Sequence, residues 1–351
     1  MVTKELFGYM PDGREVYVYT LQHHVGGIRA KVCEFGGTLM SIEAPDKNGC
    51  FTNVLCGYDC LKDLMESDGY VGALIGRYGN RIGKGQFSID GEDYQLILNN
   101  NGNTLHGGGD IAFHNRIWDG EQTDDKTLTF TTFSPDGEDG FPGNVTVKVV
   151  YTLTDDNALK IDYEATTDKA THLNLTNHCY FNLSGDGSKD CLGEILQIDA
   201  DSITAVDVNV LTTGEVLAVE GTPFDFRTPT VVGDRINDET NEQIKNGTGY
   251  DHNWILNNPG DINKVFGTIY DPTTGIVMEM FTTEPGVQFY AGNFLDGSFI
   301  GKKGVAHPQR SAFCFETQHY PDTPNQPAFP TTLVRPEDTY KTTTVYKFGV
   351  K

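Results

Sequence analysis

A chain of 351 residues with 38% hydrophobic and only 21% charged residues has the material for a large folded core, which excludes a disordered chain. Its 26 Lys and Arg against 49 Asp and Glu give a net charge of −23. That field repels phosphate backbones and anionic lipid, so neither nucleic acid nor membrane is an expected partner, and a neutral small molecule is expected before a polyanionic one.

The opening segment pairs Glu5 to Tyr9 with Glu15 to Thr20 around Pro11-Asp12-Gly13, a hairpin with proline and glycine where a turn needs them. Two more short strands follow, Ile28 to Glu34 and Thr38 to Glu43, each preceded by a glycine pair. Leu61 to Met65 reads as a short helix, and a second is expected within Asp234 to Lys245. The cysteines, seven in number and scattered, follow a start, Met1-Val2-Thr3-Lys4-Glu5, that lacks an apolar leader. They are read as reduced thiols of a cytoplasmic protein. Cys56 and Cys60 have a loosely zinc-like spacing, but no second pair completes a ligand set, so no metal is expected.

From Phe87 the pattern is plainly β. Phe87 to Ile89, the turn Asp90-Gly91 and Tyr94 to Leu98 form a hairpin; Thr127 to Phe133, Val145 to Leu153 and Leu159 to Tyr163 alternate in turn. With 40 glycines, 11% aromatic residues and no βα rhythm, the expected fold is all-β, many antiparallel strands in a sandwich, as one domain over residues 1–351.

Several stretches carry candidate chemistry. Gly76 to Gly85 is rich in glycine and basic residues but lacks the ending of a phosphate loop. Its Asn80 and Arg81 either point donors at hydroxyls or lie on the surface. His106 precedes Gly107-Gly108-Gly109, which suits a loop brought to a pocket edge and equally suits an exposed loop. In Leu173 to Leu183, alternation puts Thr176, His178 and Tyr180 on one face, with Leu175, Cys179 and Phe181 on the other. His178 there is either a proton donor near neutral pH or a satisfied core histidine. Tyr250-Asp251-His252-Asn253-Trp254 supplies an acid, with Trp254 on the opposite face and so expected in the core. Gln288 shares a face with Tyr290 and can both donate and accept. In Ser311 to Pro330, Glu316 lies between Phe315 and Thr317 on the face opposite Phe313 and Phe315, and a loop with prolines at 321, 324, 327 and 330 follows. An acid in such apolar company needs partners to offset its desolvation. It is either catalytic or closes a structural ion pair.

Together, Asn80-Arg81-Ile82, Leu105-His106-Gly107-Gly108, Asn177-His178-Cys179-Tyr180-Phe181-Asn182-Leu183, Tyr250-Asp251-His252, Gln288 and the run Glu316 to Pro327 resemble the aldose 1-epimerase (galactose mutarotase) family, in order from about residue 6 to Phe348. Gly79 departs from the alanine common there. The resemblance implies a large antiparallel β-sandwich, no metal or organic cofactor, and a monosaccharide substrate such as galactose or glucose. It also implies Glu316 as base at the C1 hydroxyl, His178 as acid at the ring oxygen, and Asn80, Arg81, His106, Tyr180, Asp251 and Gln288 as hydroxyl-binding residues. From reference pKa values of about 4.3 and 6.5, Glu316 is expected ionised and a His178 with a slightly raised pKa protonated near neutrality. The competing readings are a hexose-phosphate mutarotase, a glycoside hydrolase using Glu316 and Asp251, and a non-catalytic sugar-binding protein.

Overall fold

Strand alternation in this chain resolves into two large antiparallel sheets packed face to face. The structure is a computed structural model describing residues 1–22, 26–67, 69–185 and 189–351. A nine-stranded sheet runs, edge to edge, through Asp119–Gln122, Thr127–Ser134, Val145–Leu153, Ala158–Thr167, Tyr340–Val350, Ile276–Thr282, Gly267–Tyr270, Ile195–Ile198 and Thr230–Val231. A six-stranded sheet runs through Tyr180–Phe181, Phe313–Gln318, Gly286–Tyr290, Asp251–Ile255, Ser202–Val206 and Thr212–Ala218. A five-stranded sheet of Val2–Tyr9, Glu15–Gln22, Arg29–Cys33, Leu39–Pro45 and Phe51–Asn53 is built from successive antiparallel neighbours.

The period of two decides what each strand buries. From the six-stranded sheet, Phe181, Trp254, Val287, Phe289, Phe313 and Phe315 point into the core shared with Val149, Ile161, Met278, Met280 and Tyr346 of the nine-stranded sheet. The rings of Phe289 and Phe315 stack with centroids 5.1 Å apart. Tyr346 donates its hydroxyl to the Phe315 carbonyl at 3.0 Å, so the one polar atom this ring carries into the core is satisfied there. Burying each such aromatic contributes about 1.5–3 kcal/mol, which fixes the register: a slip of one residue would put Glu316 where Phe315 now packs. Trp254 is accordingly in the core.

The two α-helices among the described residues are short. Leu61–Met65 buries Leu61 and Leu64. Glu242–Gly247 begins at Asn241, whose side chain accepts from the Gln243 and Ile244 backbone N–H groups, and ends at Thr248 in the left-handed region. No helix among the described residues is long and apolar enough to cross a membrane.

The stretch 173–183 is not one strand. Thr176–Asn177 pairs with Leu74–Ile75, and Tyr180–Phe181 pairs with Phe313–Gln318, with a break at His178. The face parity expected for His178 and Tyr180 against Cys179 and Phe181 nevertheless carries across the break, because the latter two are held by the core.

Candidate functional site

The face of the six-stranded sheet turned away from the core is the floor of a cleft of about 420 Å³. Glu316, Asp251, Tyr180 and Tyr290 reach it from adjacent strands. Register sets their spacing: Gln288 stands opposite both Glu316 and Asn253, and Asp251 opposite Tyr290.

Two small ladders bring in the remaining groups. Arg81–Ile82 pairs with Thr104–Leu105 so that Leu105 lies opposite Arg81, which sets Asn80 and Arg81 beside His106. The two are then locked reciprocally: the His106 N–H donates to the Asn80 carbonyl and the Asn80 N–H donates to His106 Nδ1, each at 3.1 Å. Both residues hold positive φ, at +64° and +53°, a conformation L residues adopt at a cost of about 1–3 kcal/mol and one that clusters at functional sites. Gly107 permits the turn that follows, since a Cβ there would lie 2.1 Å from the Gly76 carbonyl oxygen. His178 is suspended between backbone partners, its N–H on the Ala73 carbonyl and its carbonyl on the Gly72 N–H.

Asn80, Arg81, His106, His178, Tyr180, Asp251 and Glu316 therefore line one cleft, each buried to at least nine-tenths. Arg81 is not on the outer surface. Its Nε donates to Asn100 Oδ1 at 3.2 Å. Gln288 is buried on the same strand face as Tyr290, opposite Glu316, and its Nε2 donates to Asp251 Oδ1 at 2.7 Å. The proline loop stands back from the cleft. Asp322 accepts from the Gly83 N–H at 2.8 Å and gives its own N–H to the Arg81 carbonyl, bracing the Arg81 segment.

His178 Nε2 lies 3.6 Å from Glu316 Oε1, and Glu316 Oε2 is buried with no hydrogen-bond partner among the described residues. A buried acceptor left open in this way is costly unless a donor arrives. Burial, joined by the nearby Asp251 carboxyl and opposed by Arg81, pushes the Glu316 pKa well above the usual carboxylate range. Burial takes His178 down to about 4, with its own carbonyl opposing and His114 assisting. Both shifts run opposite to the expectation of an ionised Glu316 facing a protonated His178. The reference values describe solvated groups, and here desolvation outweighs every partner.

His106, His178 and Glu316 present ligand atoms within 4.8 Å of one another. Because an amide N–H can only donate, the bond from Asn80 occupies the His106 Nδ1 lone pair, and burial holds the ring neutral. The proton is then on Nε2, which offers a donor to a hydroxyl and no lone pair to a cation.

Other lining residues were not singled out from sequence. Tyr70, Asn100 and Asn101 come from loops, Asn246 and Thr248 from the end of the second helix, and Val208 and Phe294 from the rim. The asparagine-rich run 99–103 just before His106 was a legible signal. The hairpin tip carrying Val208 gave none.

The family model for aldose 1-epimerase matches residues 17–347. Galactose mutarotase of Homo sapiens is 40% identical over 351 residues, covering 99% of both chains. Aldose 1-epimerase of Escherichia coli (strain K12) is 35% identical over 341 residues, covering 96% of both. Among solved structures, an aldose epimerase homologue from C. elegans superposes with a TM-score of 0.87 at 30% identity, covering 94% of this chain and 98% of that one. A galactose 1-epimerase from Lactobacillus acidophilus gives 0.86 at 28% identity, covering 100% and 99%.

Proposed function

Since this chain belongs to the aldose 1-epimerase family, we propose that it interconverts the α and β anomers of a free aldohexose, galactose or glucose, through Glu316 and His178. Glu316 takes the proton of the C1 hydroxyl as the C1–O1 bond becomes a carbonyl. The C1–O5 bond breaks, its electron pair stays on the ring oxygen, and His178 Nε2 protonates that oxygen. Rotation about C1–C2 presents the other face of the aldehyde. Reclosure reverses each transfer, and no net proton is gained or lost.

The observation that carries this reading is the facing pair itself: Nε2 and Oε1 are 3.6 Å apart over the cleft, with Oε2 unsatisfied. Burial favours the neutral form of both groups, a protonated Glu316 beside a neutral His178. That is the distribution the open-chain aldehyde leaves behind. Ring binding must transfer the proton to His178, and sugar hydroxyls donating to the carboxylate supply the solvation that burial removed.

The His106 Nε2–H, Arg81 and the Asn80 amide supply donors, and Asp251, braced by Gln288, supplies an acceptor. Donors and acceptors placed this way favour a substrate with many hydroxyls, because a missing or inverted hydroxyl leaves one of them unpaired. The sugar-phosphate, hydrolase and non-catalytic readings are not favoured by the family match.

The test is polarimetry on freshly dissolved α-galactose. Glu316→Gln is expected to lose roughly 10²–10⁴ in kcat while KM changes little, and His178→Asn to lose a comparable or smaller factor. A wild-type rate in Glu316→Gln removes the base assignment.

A further inference from the structure

One buried group at the cleft has no part in the reaction as described. Cys314 lies two residues before Glu316 on the same face of Phe313–Gln318, is fully buried, and places Sγ 3.5 Å from His178 Nδ1. Burial, with the Glu316 carboxyl adding to it, raises the thiol pKa well above its ordinary value, so Cys314 is neither a nucleophile nor a counter-ion.

The two nitrogens of His178 have different tasks. Nε2 faces Glu316 and must both give a proton to the ring oxygen and take one back on reclosure. It can do so only if the neutral ring keeps its remaining proton on Nδ1, since a neutral ring protonated at Nε2 has no lone pair there to receive one. A lasting Nδ1–H needs an acceptor. The rings of Tyr70, His106 and Tyr180 surround His178 with centroids 5.8, 5.1 and 5.1 Å away and make aromatic contacts, whereas among the described residues the Cys314 sulfur is the side-chain hydrogen-bond partner at Nδ1.

On the acid assignment given above, we infer that Cys314 is the positioning residue for His178: its sulfur accepts the Nδ1–H and so fixes the tautomer that leaves Nε2 to exchange protons with the sugar. A thiol sulfur is a weak, uncharged acceptor. A carboxylate in its place would orient the ring equally well but would stabilise the imidazolium, as the aspartate of a serine-protease triad does. An acid that must protonate a poorly basic ether oxygen is better served by a partner that holds the ring without holding its charge. No bond to sulfur forms or breaks, and the thiol keeps its own proton.

The experiment compares Cys314→Ala and Cys314→Ser with the wild-type chain by polarimetry and by ¹⁵N NMR of the histidine side chains. Cys314→Ala is expected to lower kcat by about 10- to 100-fold with KM within about twofold, the size expected when a catalytic group loses its orientation. Its His178 signals should shift from the Nδ1-protonated tautomer toward a mixture. Cys314→Ser, which restores an acceptor, should recover most of that loss. An alanine variant with wild-type kcat and an unchanged tautomer overturns the inference, as does a serine variant no better than alanine. His178→Asn separates the two levels: full activity there removes the acid assignment itself, while an inactive His178→Asn beside unaffected Cys314 variants removes only the role of the cysteine.

Discussion

Glu316 and His178 are each displaced from their solution pKa by the same cause, burial, and in opposite directions because one is charged by losing a proton and the other by gaining it. Burial therefore favours the state in which the pair holds a single proton. Below about pH 4 His178 takes a second proton and no base remains; above the raised Glu316 pKa the last proton leaves and no acid remains. The polarimetric kcat/KM is expected to be bell-shaped, with a broad plateau between those limits, both limbs belonging to the coupled pair. A rate that keeps rising below pH 4, in enzyme that recovers full activity on return to neutrality, contradicts this proton count. The candidate residues themselves were legible in the sequence, since an acid between Phe315 and Thr317 is conspicuous at any level of description. Their protonation states were not, because desolvation depends on which other elements close over the group.

At the scale of elements, alternation predicted the floor of the cleft well. Glu316, Gln288 and Asp251 each lie on the strand face opposite a core aromatic, and hairpins formed around Pro11-Asp12-Gly13 and Asp90-Gly91, the second returning through Glu92–Gln95 rather than Tyr94 to Leu98. Ladders of two residues cannot be read this way. Arg81–Ile82 with Thr104–Leu105 and Thr176–Asn177 with Leu74–Ile75 are too short to show a period, yet they deliver Arg81, His106 and His178. Gly107 is where such a ladder is most exposed to change. Its φ is +84° and a Cβ would meet the Gly76 carbonyl oxygen, so Gly107→Ala is expected to cost about 1–3 kcal/mol and to displace His106. A lower melting temperature with KM raised several-fold, and kcat changed less, is the expected pattern. An unaltered KM would mean that His106 does not depend on this turn.

For the whole molecule, a net charge of −23 together with the proposed binding of a neutral sugar makes a specific statement about salt. Screening acts on charge–charge attraction, of which a neutral aldose has none. The kcat/KM for galactose is expected to change by less than about twofold between 0.05 and 0.5 M NaCl, whereas galactose 6-phosphate should be the poorer substrate and improve as salt rises. A steep salt dependence with galactose would point to a charged substrate instead.

The sequence by itself determined the β class, the faces of the long strands, the acidic field and the identity of the ionisable groups, since these follow from residue type and a period of two. Tertiary structure alone decided that six of those groups meet with Asn80 in one cleft, that Gln288 hydrogen-bonds Asp251, that Cys314 lies against His178, and that burial shifts Glu316 and His178 in opposite directions. Each of these depends on contacts between segments far apart in the chain, and both hydrogen bonding and desolvation are set by neighbours in space.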